Sequence, residues 1–386
     1  MKNSDVRNVV RTYCSIAELK EGQHLVFDQI AATRIFGAQQ LAVLYWAESG
    51  IEFDIQKGIT MIAFHANRMT QVPDSMRLYI EDYDALQLIE ARLAHLFLGL
   101  EDEFHTAYKQ DIKEATNQVK LIKAKYYGDS NEAKITDADY DKLCAELTQW
   151  RNSADVGIDV ADLWDFMLAP QKFRIGNDDW NRILVRYCIL SELKDKVRKG
   201  PVYWNVKVER HEVVSEHAFG TQNIAWLMAA YEEFGLDLYK VMLMLAIHET
   251  EESVMPDFTP YDPVTPQRML EMGTKAVKVV YGDLKKYEYL NSLLDDFNAK
   301  DTWEGMFAYR CDKLEFNFRI KKYSDLGLCT IEGGQPIVLN DPEIQRNIER
   351  GAKTVADLII MHEMPKFIGT NFENVARFLR IYNTVQ

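Results

Sequence analysis

The sequence predicts an all-α protein. Apolar residues recur with the helical period along most of the chain, glycine is sparse inside the apolar segments, and few stretches alternate with period two. Only Val202-Tyr203 and Val338-Leu339 read as short extended pieces. With 386 residues the chain is long enough for two domains.

Taken in order, the elements repeat. The helical segment from Asn8 to Lys20 resembles the segment from Arg182 to Lys194, with Cys14 answering Cys188. Further on, residues 36–74 align without a gap to residues 219–257, and 13 of those 39 positions are identical. Unrelated sequences would agree at roughly one position in fifteen. A long period with no shorter one inside it signals a tandem duplication, not a solenoid. Ala169-Pro170 and Gly176-Asn177-Asp178 punctuate the pattern, so the expected halves are residues 1–172 and 173–386. Gly128-Asp129-Ser130-Asn131 reads as a loop within the first half. The second half carries a longer loop, around Arg198 to Trp204, just before His217.

Charge and cysteine content narrow the function. A net charge of −14 argues against a nucleic-acid polymer as partner, since that needs a basic face. It leaves room for a single nucleotide. No basic amphipathic stretch points to a membrane surface, and no apolar run of about 18 residues forms a membrane span. No apolar h-region follows Met1, so no signal peptide is expected. Five cysteines without a CxxC are expected to be free thiols, mostly buried, in a cytoplasmic protein.

Four short pieces carry the chemistry: Glu216-His217, His248-Glu249, Glu252, and Asp312 within Cys311-Asp312-Lys313-Leu314-Glu315. The run from Val241 to Ile247 holds no charge, so the helix leading to His248 is expected to be buried. His248 and Glu252 are one turn apart, and polar groups at a buried helix end need partners. A metal ion bound by imidazole and carboxylate is one such partner. By pattern alone His248 is equally a buried or capping histidine, and Asp312 an ordinary ion-pairing aspartate. The spacing is not HExxH, so a metalloprotease is not read. Neither a Walker loop, GxGxxG nor GxSxG is present.

In order, spacing and flanking residues, Arg210 to His217, His248 to Glu252, Pro256-Asp257 and Cys311 to Leu314 resemble the HD-domain superfamily of metal-dependent phosphohydrolases, and within it the bacterial 5'-deoxynucleotidase branch. The resemblance covers roughly residues 180–325. It implies two tandem HD-domain-like helical bundles, and His217, His248, Glu249 and Asp312 as ligands of a divalent metal (Mn, Co, Mg, Zn, Ni or Fe). It makes Glu252 the catalytic acid/base and Asp257 a substrate-binding residue. The implied activity is release of the 5'-phosphate of a (deoxy)nucleoside monophosphate, with a catalytically inactive nucleotide sensor or helical scaffold as the alternative. Two departures stand out. Glu249 occupies the place of the family's Asp, and no clean Arg-Trp pair precedes His217, where Arg198 and Trp204 are loose candidates.

In the first half the same register places Arg34 at the position of His217, Ala66 at Glu249 and Met69 at Glu252, while His65 and Asp74 remain and Asp141 answers Asp312. That half is expected to be catalytically dead and to pack on the second as an internal pseudo-dimer. Whether the whole chain also forms a homo-oligomer is open. Glu101-Asp102-Glu103 and the charged stretch from Asp111 to Lys125 read as solvated faces, and Trp46, Trp226 and Tyr231 as core.

Overall fold

A computed structural model describes residues 1–16, 29–50, 53–66, 89–128, 135–157, 175–232 and 235–385. Every named element among them is helical, as the periodicity predicts, and the single β-bridge pairs Val197 with Val213. Val202-Tyr203 and Val338-Leu339 are not extended. They fall in two short helices, Lys199–Tyr203 and Pro336–Leu339. Pro336 opens the second of these, where its fixed φ suits the first helical turn and its missing N–H costs nothing.

Helices α1 (Asn3–Ile16), α2 (Gln29–Ser49), α3 (Ile55–Ala66), α4 (Ile89–Ala107), α5 (Lys109–Tyr127) and α6 (Asp137–Ser153) build the first part. Then follow α7 (Asn177–Ser191), α8 (Lys199–Tyr203), α9 (Val214–Ala229), α10 (Leu238–Ile247), α11 (Pro266–Tyr281), α12 (Tyr287–Ala299) and α13 (Trp303–Asp325). Four helices close the chain: α14 (Pro336–Leu339), α15 (Pro342–Glu349), α16 (Val355–Glu363) and α17 (Asn371–Ile381). Polar side chains start the site-bearing helices. Asp237 accepts from the backbone N–H of Lys240 ahead of α10, and Thr302 from that of Gly305 ahead of α13.

Two triads of helices pack alike. The first is α2, α3 and α4, the second α9, α10 and α13. They share one continuous apolar core, and α2 lies along α9. Where α2 meets α9, the Gln39 amide donates to Gln222 Oε1 at 2.7 Å and the Gln222 amide returns a bond to Gln39 Oε1 at 3.1 Å. Both residues are buried, so this reciprocal pair satisfies groups that would otherwise be costly to hide. The leading helices are exchanged: α1 packs on α9 and α17, whereas α7 packs on α2 and α5.

A second small core gathers Trp204, Val206, Ile320, Tyr323 and residues of α15 and α16. Trp46 and Trp226 are core residues and Tyr231 packs against the core half-buried. All five cysteines are free, and Cys188, Cys311 and Cys329 are buried. No helix of the described residues is long and apolar enough to cross a membrane.

Candidate metal centre

The helix α10 ends at Ile247, earlier than the sequence spacing suggests. His248 is its C-cap, and Thr250–Ser253 form a tight 3₁₀ turn that carries Glu252. The turn closes with the Glu252 N–H donating to Glu249 O at 3.0 Å. Polar side chains one turn past an apolar helix are thereby delivered to the face of α9 that holds His217.

Ligand-capable atoms of His217, His248 and Glu249 lie within 4.8 Å of one another. Glu249 Oε1 stands 3.2 Å from His248 Nε2 and 3.4 Å from His217 Nε2. The extra methylene of Glu in place of Asp therefore still brings its carboxylate to the histidines. Asp312 Oδ1 lies 2.9 Å from His217 Nε2.

The donor set fits a divalent ion on one specific observation. His248 Nδ1 donates to Leu245 O at 2.8 Å, which fixes the tautomer and leaves Nε2 with a lone pair. That Nε2 is buried and makes no hydrogen bond. An orphaned imidazole nitrogen facing a carboxylate and a second histidine is what a metal site requires.

Behind the donors sits an outer layer. His217 Nδ1 donates to Glu315 Oε2 at 2.7 Å. Glu315 Oε1 accepts from Arg319 Nε at 2.6 Å and from the Tyr13 hydroxyl at 3.0 Å. Carboxylates in this position fix the ring of a ligating histidine. Glu212, His217 and Glu315 also lie close enough to form a second donor group. Arg319 already supplies the cation there, 3.5 Å from Glu212 and 2.6 Å from Glu315, so that group is filled by protein. Glu216 is no ligand either. It takes a two-pronged bond from Arg210, at 2.9 and 2.7 Å, and caps α9 through the Val213 N–H.

The electrostatics divide the carboxyls into two kinds. Burial works against ionising Glu249, yet the positive charge around it holds its pKa below the ordinary value. Burial likewise opposes ionised Asp312, and Lys313 with His217 overcomes it. For Glu315 burial is outweighed by Arg319 and His217, and the pKa falls to about 2. Burial and Arg198 would lower His217, but Glu315 and Asp312 raise it to about 9. Glu252 goes the other way: burial, then Asp257 and Glu249, push it well above the usual range. Its Oε2 is sealed from solvent without a hydrogen bond. A buried carboxyl whose protonated form is favoured in this way is suited to general-acid work.

A cavity of about 220 Å³ reaches the centre at Asp312 and is lined also by Arg198, Trp204, Asp257, Lys313 and Phe316. The two loose candidates, Arg198 and Trp204, thus reach one cavity. The bridge between Val197 and Val213 pins the long loop next to α9 and holds Arg198 there. Arg198 Nη1 is buried without a hydrogen bond, 3.9 Å from Glu315. Asp257 accepts from the Lys199 N–H at 2.8 Å, tying its turn to the same loop.

The equivalent place in the first part differs. Arg34 binds Asp102 with two bonds, of 2.5 and 2.7 Å. The acidic run is therefore more than a solvated face: Glu101 is buried and accepts from the Tyr187 hydroxyl and from Lys194 at 2.5 Å. Lys123, within the other charged stretch, is also buried, 2.6 Å from Glu192. Gly37 abuts Glu101 as Gly220 abuts Glu315, and by that register Leu98, three before Glu101, falls against Asp312 where the sequence offers Asp141. Asp141 lies elsewhere, exposed on α6 and paired with Lys275. Met69 and Asp74 lie outside the described residues, as do residues 158–174, where most of the expected boundary falls.

Residues 190–338 match the family model described as HD domain. The match supports the HD superfamily. The matched segment contains His217, His248, Glu249, Glu252, Asp257 and Asp312. The chain is also similar to the protein named 5'-deoxynucleotidase HDDC2 of Dictyostelium discoideum, at 26% identity over 144 residues, which cover 35% of this chain and 74% of that one. No solved structure matches significantly.

Proposed function

We propose that residues 173–386 form a metal-dependent phosphohydrolase that acts on a nucleotide, in the simplest case releasing the 5'-phosphate of a (deoxy)nucleoside monophosphate. The observation that carries this reading is the orphaned His248 Nε2, turned toward His217 and Glu249 beside a cavity that also holds Arg198. The similarity to a protein named as a 5'-deoxynucleotidase supports the nucleotide.

In this reading His217, His248, Glu249 and Asp312 hold a divalent ion. When bound, the ion supplies Lewis acidity, drawing charge from the phosphoryl oxygens and easing deprotonation of the attacking water. Arg198 offers a desolvated guanidinium to the phosphate. Asp257 orients the sugar or the water. The water oxygen bonds to phosphorus as the bond to the 5'-oxygen breaks. Glu252 gives its proton to that leaving oxygen, and the water's proton replaces it, so a nucleoside and inorganic phosphate result.

The first half, residues 1–172, is proposed to be a degenerate copy that pairs with the second as an internal pseudo-dimer. The reciprocal Gln39–Gln222 bonds support this, because residues at matched positions meet each other as they do across a two-fold axis. Arg34, Ala66 and Leu98 at the places of His217, Glu249 and Asp312 leave that copy only His65 of the four metal donors.

Metal content of the purified protein, measured with phosphate release from nucleoside mono-, di- and triphosphates under added Mn, Co, Mg or Zn, tests the reading. Stoichiometric metal and release that His217→Ala abolishes would support it. A Glu252→Gln variant should keep its metal and lose turnover. Absence of both metal and release would replace the reading with a nucleotide sensor or a helical scaffold.

A further inference from the structure

Three lysines converge on one ring beside the metal donors. Lys300 Nζ lies 4.5 Å from the centroid of Tyr309, Lys313 Nζ 5.3 Å and Lys366 Nζ 5.9 Å. They come from three separate elements: the end of α12, the middle of α13 and the 3₁₀ turn Met364–Lys366. Like charges gathered this closely repel unless something offsets them. Lys313 is 2.8 Å from Asp312 Oδ2 and Lys366 is 2.5 Å from Glu363. Among the described residues no carboxylate pairs with Lys300. The cluster is thus one positive charge in excess within a chain of net charge −14.

The backbone at Lys300 adds a second observation. It is one of two described non-glycine residues with positive φ, at 59°. Glycine is the usual occupant of such a helix end. A lysine there accepts the backbone cost and places its ammonium group over Tyr309. Lys313 and Lys366 in turn line the same cavity as Asp257 and Asp312. The positive cluster is therefore continuous with the proposed reaction site, one side chain beyond Asp312.

We propose that Lys300, Lys313 and Lys366 form an anion subsite for a second phosphate, lying next to the phosphate held at His217, His248, Glu249 and Asp312. This inference rests on the phosphohydrolase reading and extends its substrate class to nucleotides that carry a further phosphate group. Ammonium groups on an aromatic face suit this role, since they stay charged and mobile enough to follow successive phosphate oxygens.

Calorimetric titration of the manganese-loaded protein with inorganic phosphate and with pyrophosphate tests it, manganese being kept in excess throughout. Pyrophosphate should bind about tenfold more tightly than phosphate, the gain of a second charge-assisted contact. Lys300→Ala and Lys366→Ala should each remove most of that gain and leave phosphate affinity unchanged. Both positions lie outside the metal donors, and circular dichroism reports whether each variant folds. Phosphate binding without a pyrophosphate gain, or a gain that survives in the double variant, would overturn the subsite alone. Failure of both anions to bind would overturn the phosphohydrolase reading and the subsite with it.

Discussion

The hydroxyl of Tyr13 donates to Glu315 Oε1 at 3.0 Å, while the other oxygen of that carboxylate takes the Nδ1 proton of His217. A residue of the first helix therefore holds the outer layer of the candidate metal centre in the second part of the chain. Removing the hydroxyl in Tyr13→Phe leaves the ring and its contact with Phe318, 4.4 Å between centroids. The variant is expected to fold and to bind its metal about tenfold more weakly, as outer-layer losses do. Competitive metal titration checks this, and an unchanged affinity would remove Tyr13 from the centre.

Gly220 is the space in which Glu315 lies. A Cβ there would come within 2.7 Å of Oε1 and 3.0 Å of Cγ. Three partners fix that carboxylate, so it cannot swing aside. Gly220→Ala is expected to cost about 1–3 kcal/mol, as overpacking does, and to weaken metal binding too. Gly58→Ala serves as contrast, because its Cβ would meet only Phe53 at 3.9 Å. Urea midpoints of the two variants should fall on opposite sides of a 1 kcal/mol loss, or the packing account fails.

Gln39 and Gln222 should behave as a unit. Gln39→Leu or Gln222→Leu alone leaves the partner's buried amide oxygen without its donor, at about 1–3 kcal/mol each. The double variant replaces both buried amides and is expected to cost clearly less than the two single losses added together. Simple additivity in denaturant unfolding would mean the pair does not couple α2 to α9.

Lys123 gives a pH signature. Burial lowers its pKa to about 8, against the opposing pull of Glu192. Its folded pKa lies below the unfolded value of 10.5, so between those values the unfolded chain binds more protons. Stability from this group therefore rises with pH from about 8 to 10.5. Cys14, raised to about 11 by burial, and other buried thiols and tyrosines act in the opposite sense. The expected result is a difference: Lys123→Met should lose stability relative to the parent as pH rises through that window. Parallel curves for the two proteins would contradict it.

The helical class and the residues that gather at His217 were readable because both depend on local order. Apolar spacing announces helices, and a histidine ending a charge-free run announces a buried polar group. The tight turn after Ile247 was not readable, since His248 to Glu252 fits a continuing α-helix equally well. Glu315 stood in plain view, one helical turn after Asp312, and Gly220 one turn after His217. Neither signalled its role, because their meeting depends on how α9 packs on α13. Glu101 is hidden from the sequence for a related reason. It reads as part of an acidic surface run, but the tyrosine and lysine that bury it, Tyr187 and Lys194, lie far along the chain.

The exchange of α1 and α7 between the two packed triads has a consequence for the order of events during synthesis. Tyr13 emerges from the ribosome with the first helix, and its partner Glu315 follows 302 residues later. Of the helices that cover α1, α9 is made before Glu315 and α17 only after it. An early segment whose apolar side must wait for the last part of the chain is exposed to wrong pairing. The same wait is a safeguard, because the candidate centre cannot close its outer layer until Glu315 has been made. Products of interrupted synthesis would carry Tyr13 without the carboxylate that it steadies.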